Sequence, residues 1–434
     1  MTVEEIYGLF QKCAGVTTDS RKCGPGLMFF ALKGERFDGN EFVRGALEQG
    51  CPYAVMDNAD LYDSTDSRMI LVDNVLSTLQ QVAAYHRRTL GTPVIGITGT
   101  NGKTTTKELT NAVMSTTYNV LCTQGNLNNS IGVPLTVLGL KAEHEYAIVE
   151  MGASHPGDIK ELVNVSQPDF GLITNVGKAH LLGFGSFEGV KRTKGELYDW
   201  LREHNGTAFV NRDNEHLQQM CAGLPLIEYG KPGQEGLLVE GEVLECNPFV
   251  RFRWRSHKGN WHTVQTSLIG AYNVDNALAA ITIGLHFGVS EEKASEAVAG
   301  YQPQNNRSQL TRTERNSLVV DAYNANPTSM AAAIENFSMM KADHKMLILG
   351  DMRELGEVSE AEHKRIVDML REKGFAHVWL VGSEFGKTAQ GSGFRLFPDV
   401  DAVNEALKSE PVSGCTILIK GSNSIGLTKT ITNL

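Results

Sequence analysis

One stretch of fifteen residues, IGITGTNGKTTTKEL at 95–109, constrains the chain more than any other. The apolar run 93–97 predicts a buried parallel strand, 99–102 a tight turn, and 104 onward a helix. A glycine-rich turn between strand and helix brings backbone N–H groups and a helix N-terminus to one point, where an anion meets donors and the positive end of the helix dipole. Lys103 can then reach the outer phosphates of a nucleotide, and a threonine hydroxyl can ligate Mg²⁺. The string departs from the usual G-x-x-x-x-G-K-[ST], whose first glycine would fall at Ile97; Gly96 and Gly99 lie on either side of it. A glycine-rich turn in some other α/β protein is the plainer alternative, and nucleotide binding is the organising expectation.

At 434 residues the chain is too long for one compact core, so two or three domains are expected. Its 40 basic residues against 50 acidic ones give a net charge of −10, which argues against a general nucleic-acid or anionic-membrane surface but not against a local phosphate pocket. Seven scattered cysteines without a C-x-x-C pair suggest reduced thiols, with neither a zinc site nor a disulfide framework. The acidic start MTVEEIYGLFQKC lacks an apolar signal core and no long apolar run follows, so a cytoplasmic protein is expected.

Three domains are expected, at 1–88, 89–300 and 301–434. The first alternates short apolar segments with helical stretches, a small α/β unit in which the loops TTDSRKCGPG and LKGERFDGNEF carry Arg21 and Arg36. In the second, the apolar strand 146–149 ends in Glu150, where a Walker-B-type Mg²⁺ ligand would sit. The loop GNLNNSIGVP is rich in asparagine, and the strand 170–174 leads to a loop holding His180. The segment KRTKGELYDWL predicts a helix beginning near 191, with Lys194 and Glu196 in its first turn. A cation is disfavoured there, so Lys194 would face an anion, be chemically altered, or simply point to solvent. FVRFRW followed by WHTVQTSLIG predicts a small antiparallel hairpin with an arginine row on its solvated face, and Asn273 is a possible helix N-cap. Strands and helices then alternate from 318 to the end, with polar clusters after the strands, as in a doubly wound domain.

These strings together resemble the Mur ligase family. TGTNGKTT, the VEMG glutamate Glu150, the N-x-x-x-x-H ending at His180, the K-G-E at Lys194, the N-x-x-N of Asn273 and Asn276, Arg307, and the D-A-Y-N-A-N-P from Asp321 occur in the family's order across the whole chain. The resemblance implies an α/β protein of three domains: a small N-terminal α/β domain, a central P-loop ATPase domain with a parallel sheet plus a small antiparallel sheet, and a C-terminal doubly wound, Rossmann-like domain. It implies an ATP-dependent amide-bond-forming ligase working through an acyl phosphate. GNLNNSIGVP, DAYNANPTSM and LGDMRELGEVSEAEH point to the branch that adds D-alanyl-D-alanine to UDP-N-acetylmuramoyl-tripeptide in peptidoglycan precursor synthesis.

By the same resemblance, Gly99, Thr100, Asn101, Gly102, Lys103, Thr104 and Thr105 hold the phosphates of ATP, and Asn273 and Asn276 lie on the adenine side. Arg307 and Asp321 close on phosphate and ribose. Two Mg²⁺ ions are expected, one on Thr104 and Glu150, the other on His180 and a carbamylated Lys194. Lys103, Glu150, His180 and Lys194 form the catalytic set. Ser20 and Arg21 are matched to the uridine nucleotide, Asn128 and Asn129 to the muramoyl peptide, and Asn324 and Asn326 to the dipeptide. Tyr272 and Asn40 stand where the family often has histidine. A monomer is expected, without nucleic-acid or membrane partners. Rival readings are another Mur-type amino-acid ligase, a P-loop small-molecule kinase, and a non-catalytic binding homologue.

Overall fold

The structure, a computed structural model, describes residues 1–35, 37–303 and 309–434; Arg36 and Arg307 therefore lie outside the described residues. The N-terminal unit is a parallel four-stranded sheet in the order Gly15–Thr17, Leu27–Phe30, Ala54–Met56, Met69–Leu71. Its last helix, Val75–Leu90, starts where the Asn74 side chain accepts from Ser77 N at 2.8 Å and stops at Gly91, whose φ of 69° suits a residue without Cβ. One face of this helix leaves the N-terminal unit altogether. Leu79, Val82 and Ala83 share a single core with Val133, Val137, Leu162 and Val163 of the helices Gly132–Val137 and Asp158–Ser166.

The central sheet has nine strands in the order His262–Ile269, Phe249–Ser256, Val239–Cys246, Leu226–Gly230, Thr207–Asn211, Phe170–Ile173, Val94–Thr98, Tyr146–Glu150, Val120–Cys122. All five residues of Val94–Thr98 are buried, as a parallel strand covered on both faces requires. The antiparallel strands are present, but they continue the parallel sheet instead of forming a separate one. Val239–Cys246 pairs parallel with Leu226–Gly230 before turning back into Phe249–Ser256. Val250, Phe252 and Trp254 are buried on one face, as their alternation predicts. The arginine row is more than a solvated edge: Arg251, Arg253 and Arg255 pair with Glu245, Glu242 and Glu240, and Arg253 and Arg255 stack on Trp261.

The C-terminal sheet runs Gln309–Arg312, Ser317–Asp321, Thr416–Lys420, Lys345–Gly350, His377–Val381, Arg395–Phe397, parallel except at its first pair. Alternate strand residues serve two cores. Val319, Leu347 and Leu418 pack under the helices Pro327–Met339 and Ser359–Glu372, whereas Leu318, Ile348 and Ile417 pack under Val400–Ser409. Inserting the last strand between the first two parallel ones sets Asp321 and Lys420 side by side at the carboxyl edge, the usual ligand edge of an open α/β sheet. Among the described residues, no helix is long and apolar enough to cross a membrane.

Candidate active site

Between the central and C-terminal units lies a cavity of about 640 Å³. Its central wall includes Thr100 to Thr105, Asn128, Asn129, Glu150, His180, Asn273 and Asn276; its C-terminal wall includes Asp321, Asn324, Asn326 and Lys420. Two distant stretches of sequence therefore meet at one cleft.

The helix Lys103–Met114 begins directly after the turn, so backbone N–H groups at its start point into the cavity. Glycine is required at both ends of the turn. Gly99 has φ 142° and a Cβ there would stand 2.0 Å from Thr174 Oγ1; Gly102 has φ 80° and a Cβ there would stand 2.6 Å from Asn276 Oδ1. The turn is braced from the neighbouring strand end: Asn101 N donates to Asn175 Oδ1 at 3.0 Å, while Asn175 Nδ2 and Thr174 Oγ1 donate to Asn101 O at 2.9 and 2.6 Å. Lys103 Nζ folds over the turn, donating to Gly99 O at 2.8 Å and Thr100 O at 3.1 Å.

Glu150 ends its strand with 1% exposure. Its Oε1 accepts from Thr104 Oγ1 at 3.1 Å and from Asn128 Nδ2 at 2.7 Å, while its buried Oε2 has no hydrogen-bond partner. An orphaned carboxylate oxygen beside a threonine hydroxyl and a phosphate-binding turn fits a hard divalent cation. Among the described residues, no group of three or more His, Cys, Asp or Glu forms a ready-made metal cage. A cation here would thus share protein ligands with a bound nucleotide.

Lys194 departs from expectation. The helix is Phe187–Glu203, capped by Ser186 accepting from Gly189 N at 3.0 Å, so Lys194 sits mid-helix and not in a first turn. Its peculiarity is burial: it is 2% exposed, with its ammonium 5.6 Å from the Phe184 ring centre. Burial, and then the Lys103 charge, push its pKa well below the usual lysine value. The nearest carboxylates are already committed to backbone donors, Glu196 to Gly157 N and Lys160 N, Asp158 to Ser154 N and His155 N. Lys194 does not itself line the cavity.

His180 does line the cavity, and its Nδ1 hydrogen-bonds to Glu354 Oε2 of the C-terminal unit. Burial lowers its pKa, Glu354 opposes that, and the Lys103 and Lys194 charges add to it. Asn273 opens the helix Asn273–His286 after Tyr272, and its side chain does more than cap. Nδ2 donates to Ile269 O at 2.8 Å, and Oδ1 accepts from Asn276, whose Oδ1 accepts from Thr106 of the turn's helix at 3.0 Å.

The remaining residues divide. Asn129 Oδ1 accepts from Ile131 N at 3.2 Å and Gly132 N at 2.8 Å, holding the loop that leads into the helix Gly132–Val137. Asn326 caps Pro327–Met339 and donates to Asn101 Oδ1 at 2.8 Å, linking the two walls. Asp321 is held by Lys420 Nζ at 2.6 Å. Asn324 lines the cavity. Ser20 and Arg21 do not: they lie on an exposed turn where the guanidinium pairs with Asp19 at 2.8 Å. Asn40 is a buried scaffold residue, accepting from Asp57 N at 3.0 Å and donating to Asp38 and Asp57. Sequence reasoning missed Asn175, Lys420, Asp275 and Glu354. Only the position of the first two, immediately after or at a strand end, offered a signal.

Known proteins arrange themselves around the same pattern. The family descriptions for the Mur ligase middle domain, the Mur ligase glutamate ligase domain and the Mur ligase family catalytic domain match residues 97–284, 306–423 and 12–87. A relative from Bacillus subtilis (strain 168), named UDP-N-acetylmuramoyl-tripeptide--D-alanyl-D-alanine ligase, is 35% identical, covering 97% of this chain and 93% of its own. The crystal structure I of MurF from Acinetobacter baumannii aligns with a TM-score of 0.88 at 29% identity, over 100% of this chain and 98% of that one. MurF ligase from Thermotoga maritima in complex with ADP aligns with a TM-score of 0.86 at 25% identity, over 98% and 97%. The chain belongs to the Mur ligase family of ATP-dependent ligases.

Proposed function

We propose that this chain joins D-alanyl-D-alanine to UDP-N-acetylmuramoyl-tripeptide at the expense of ATP, a cytoplasmic step in making peptidoglycan precursors. The observation that carries the reading is one cavity walled on one side by the phosphate turn with Glu150 and on the other by Asp321, Asn324 and Asn326. The tripeptide's terminal carboxylate attacks the γ-phosphorus, ADP leaves, and an acyl phosphate forms. The dipeptide amine then adds to the acyl carbon, and the tetrahedral adduct expels inorganic phosphate. Lys103 and the turn's N–H groups orient the γ-phosphate and offset its charge. Residues 1–88 hold the uridine end with Ser20 and Arg21, 89–300 hold ATP, and 301–434 deliver the dipeptide through Asn324 and Asn326. Asn128 and Asn129 would meet the muramoyl peptide and Asp321 the ribose; Asn128, Asn129 and Asp321 all line the cavity. A monomer is the expected working unit.

Mg²⁺, when bound, offsets phosphate charge; Thr104 and Glu150 would hold one ion, and His180 with a carbamylated Lys194 a second. The buried ammonium supports the carbamate, because a depressed pKa increases the neutral amine that adds CO₂. Lys194→Ala should abolish ligation and regain part of it with short carboxylic acids; wild-type-like activity in that variant would rule the carbamate out. The function itself is tested by incubating the chain with ATP and each peptide substrate, alone and together. Phosphate release should require both substrates, and release without the dipeptide would overturn the reading.

A further inference from the structure

Two non-glycine residues with left-handed backbones, His180 (φ 49°) and Glu354 (φ 62°), face each other across the central and C-terminal units and hydrogen-bond through Nδ1 and Oε2. Such a conformation is unfavourable for a residue with a Cβ and persists where its surroundings over-determine it. The surroundings here do so residue by residue. Asp351 accepts from Glu384 N at 3.0 Å and Phe385 N at 2.9 Å. Met352 N donates to His363 Nε2 at 3.0 Å, and Arg353 N to Ser422 Oγ at 2.9 Å. Glu354 O accepts from Leu182 N, two residues beyond His180, at 3.1 Å. On the other side, His180 O accepts from Gly183 N and Phe184 N, both at 3.0 Å. This is much construction around a glutamate whose side chain is 58% exposed, and an exposed ion pair adds little stability.

We propose that Glu354 is a positioning residue for ligation: the docked C-terminal unit sets its carboxylate on His180 Nδ1, fixes the Nδ1–H tautomer and leaves Nε2, with its lone pair, as the nitrogen available to the cavity. A carboxylate behind an imidazole is the usual way of orienting a histidine toward a metal or phosphate. The carboxylate comes from the domain that delivers the dipeptide, so His180 is aligned only while that domain is docked. The inference rests on the ligase reading, which gives His180 its task beside the γ-phosphate.

The test uses the full chain labelled with ¹⁵N-histidine, with the His180 resonances identified by their loss in His180→Asn. The ligand-free wild type should show the Nδ1–H tautomer at His180, and Glu354→Ala should shift it toward Nε2–H. In ligation assays Glu354→Ala should lower kcat by about 10–100-fold with KM values for ATP and both peptide substrates little changed, and Glu354→Asp should recover part of the loss. Glu354→Gly removes the backbone strain, so it should unfold no more easily than the wild type while sharing the kcat loss. A wild-type kcat in either the alanine or the glycine variant, or an unchanged His180 tautomer, would overturn the proposal. If the wild type makes no ligation product, the functional reading fails, and the tautomer measurement still decides whether Glu354 orients His180.

Discussion

The two domain junctions are built from different materials. At the first, the helix Val75–Leu90 buries Leu79, Val82 and Ala83 against central-domain helices in one continuous apolar core, and Arg87 bonds to Asp169 at 2.7 Å. At the second, the contacts beside the cavity are polar: Asn326 with Asn101, Lys178 Nζ with Glu362 at 2.6 Å, Lys178 N with Thr328 Oγ1 at 3.2 Å, and His180 with Glu354. Apolar packing appears farther off, where Ile269 and Phe249 join the C-terminal core. A shared core opens only at the cost of exposing apolar surface, whereas polar contacts exchange for water at little net cost. The first two units therefore behave as one body, and the third is the one that substrates can dock and release.

The largest effect should come from the apolar junction. Leu79→Ala leaves a void in a fully buried position shared by two domains, and should lower unfolding free energy by about 2–5 kcal/mol in denaturant titrations, with both units melting together. Separate transitions for residues 1–88 and the rest would break the one-body account. Asp275 probes the same rigid half by charge. Burial, reinforced by Asp213, raises its pKa from 3.8 to about 6. Stability from a raised carboxylate is complete below the unfolded value and is lost as pH rises through the folded one, so the wild type should weaken between about pH 4 and pH 6. Asp275→Asn should match the wild type near pH 4 and exceed it by about 1–3 kcal/mol near pH 7. A constant difference across that range would remove Asp275 as the cause. Smallest in stability is the polar junction. Glu362→Gln weakens the pair with Lys178 and the Arg365 contact at 2.9 Å, and should change unfolding by no more than about 1 kcal/mol. It should nevertheless slow ligation several-fold at low salt, with the gap to the wild type narrowing at high salt, where the wild-type pair is itself screened; a large loss of stability without loss of rate would reverse the contrast.

How much of this was legible in the sequence follows the range of each contact. The strand, turn and helix at 94–114 and the strand ending in Glu150 are local patterns, and the structure has them. Lys194 was misplaced because the glycines around Ser186 obscured the N-cap eight residues before it; its burial depends on the packing of the whole helix. The hairpin was readable, but its attachment to the parallel sheet rests on two paired positions, Tyr229 with Val239 and Gly230 with Glu240. Glu354 meets His180 across 174 residues of chain, and no periodicity or spacing encodes such a meeting.

The proposed ligation requires that the γ-phosphate of ATP pass to the peptide carboxylate before the amine is acylated. UDP-N-acetylmuramoyl-tripeptide labelled with ¹⁸O in its terminal carboxylate tests this directly in one turnover with ATP and D-alanyl-D-alanine. An acyl phosphate transfers one labelled oxygen, so mass spectrometry should find ¹⁸O in the inorganic phosphate in proportion to the amide formed. Unlabelled phosphate alongside the amide product would contradict the account.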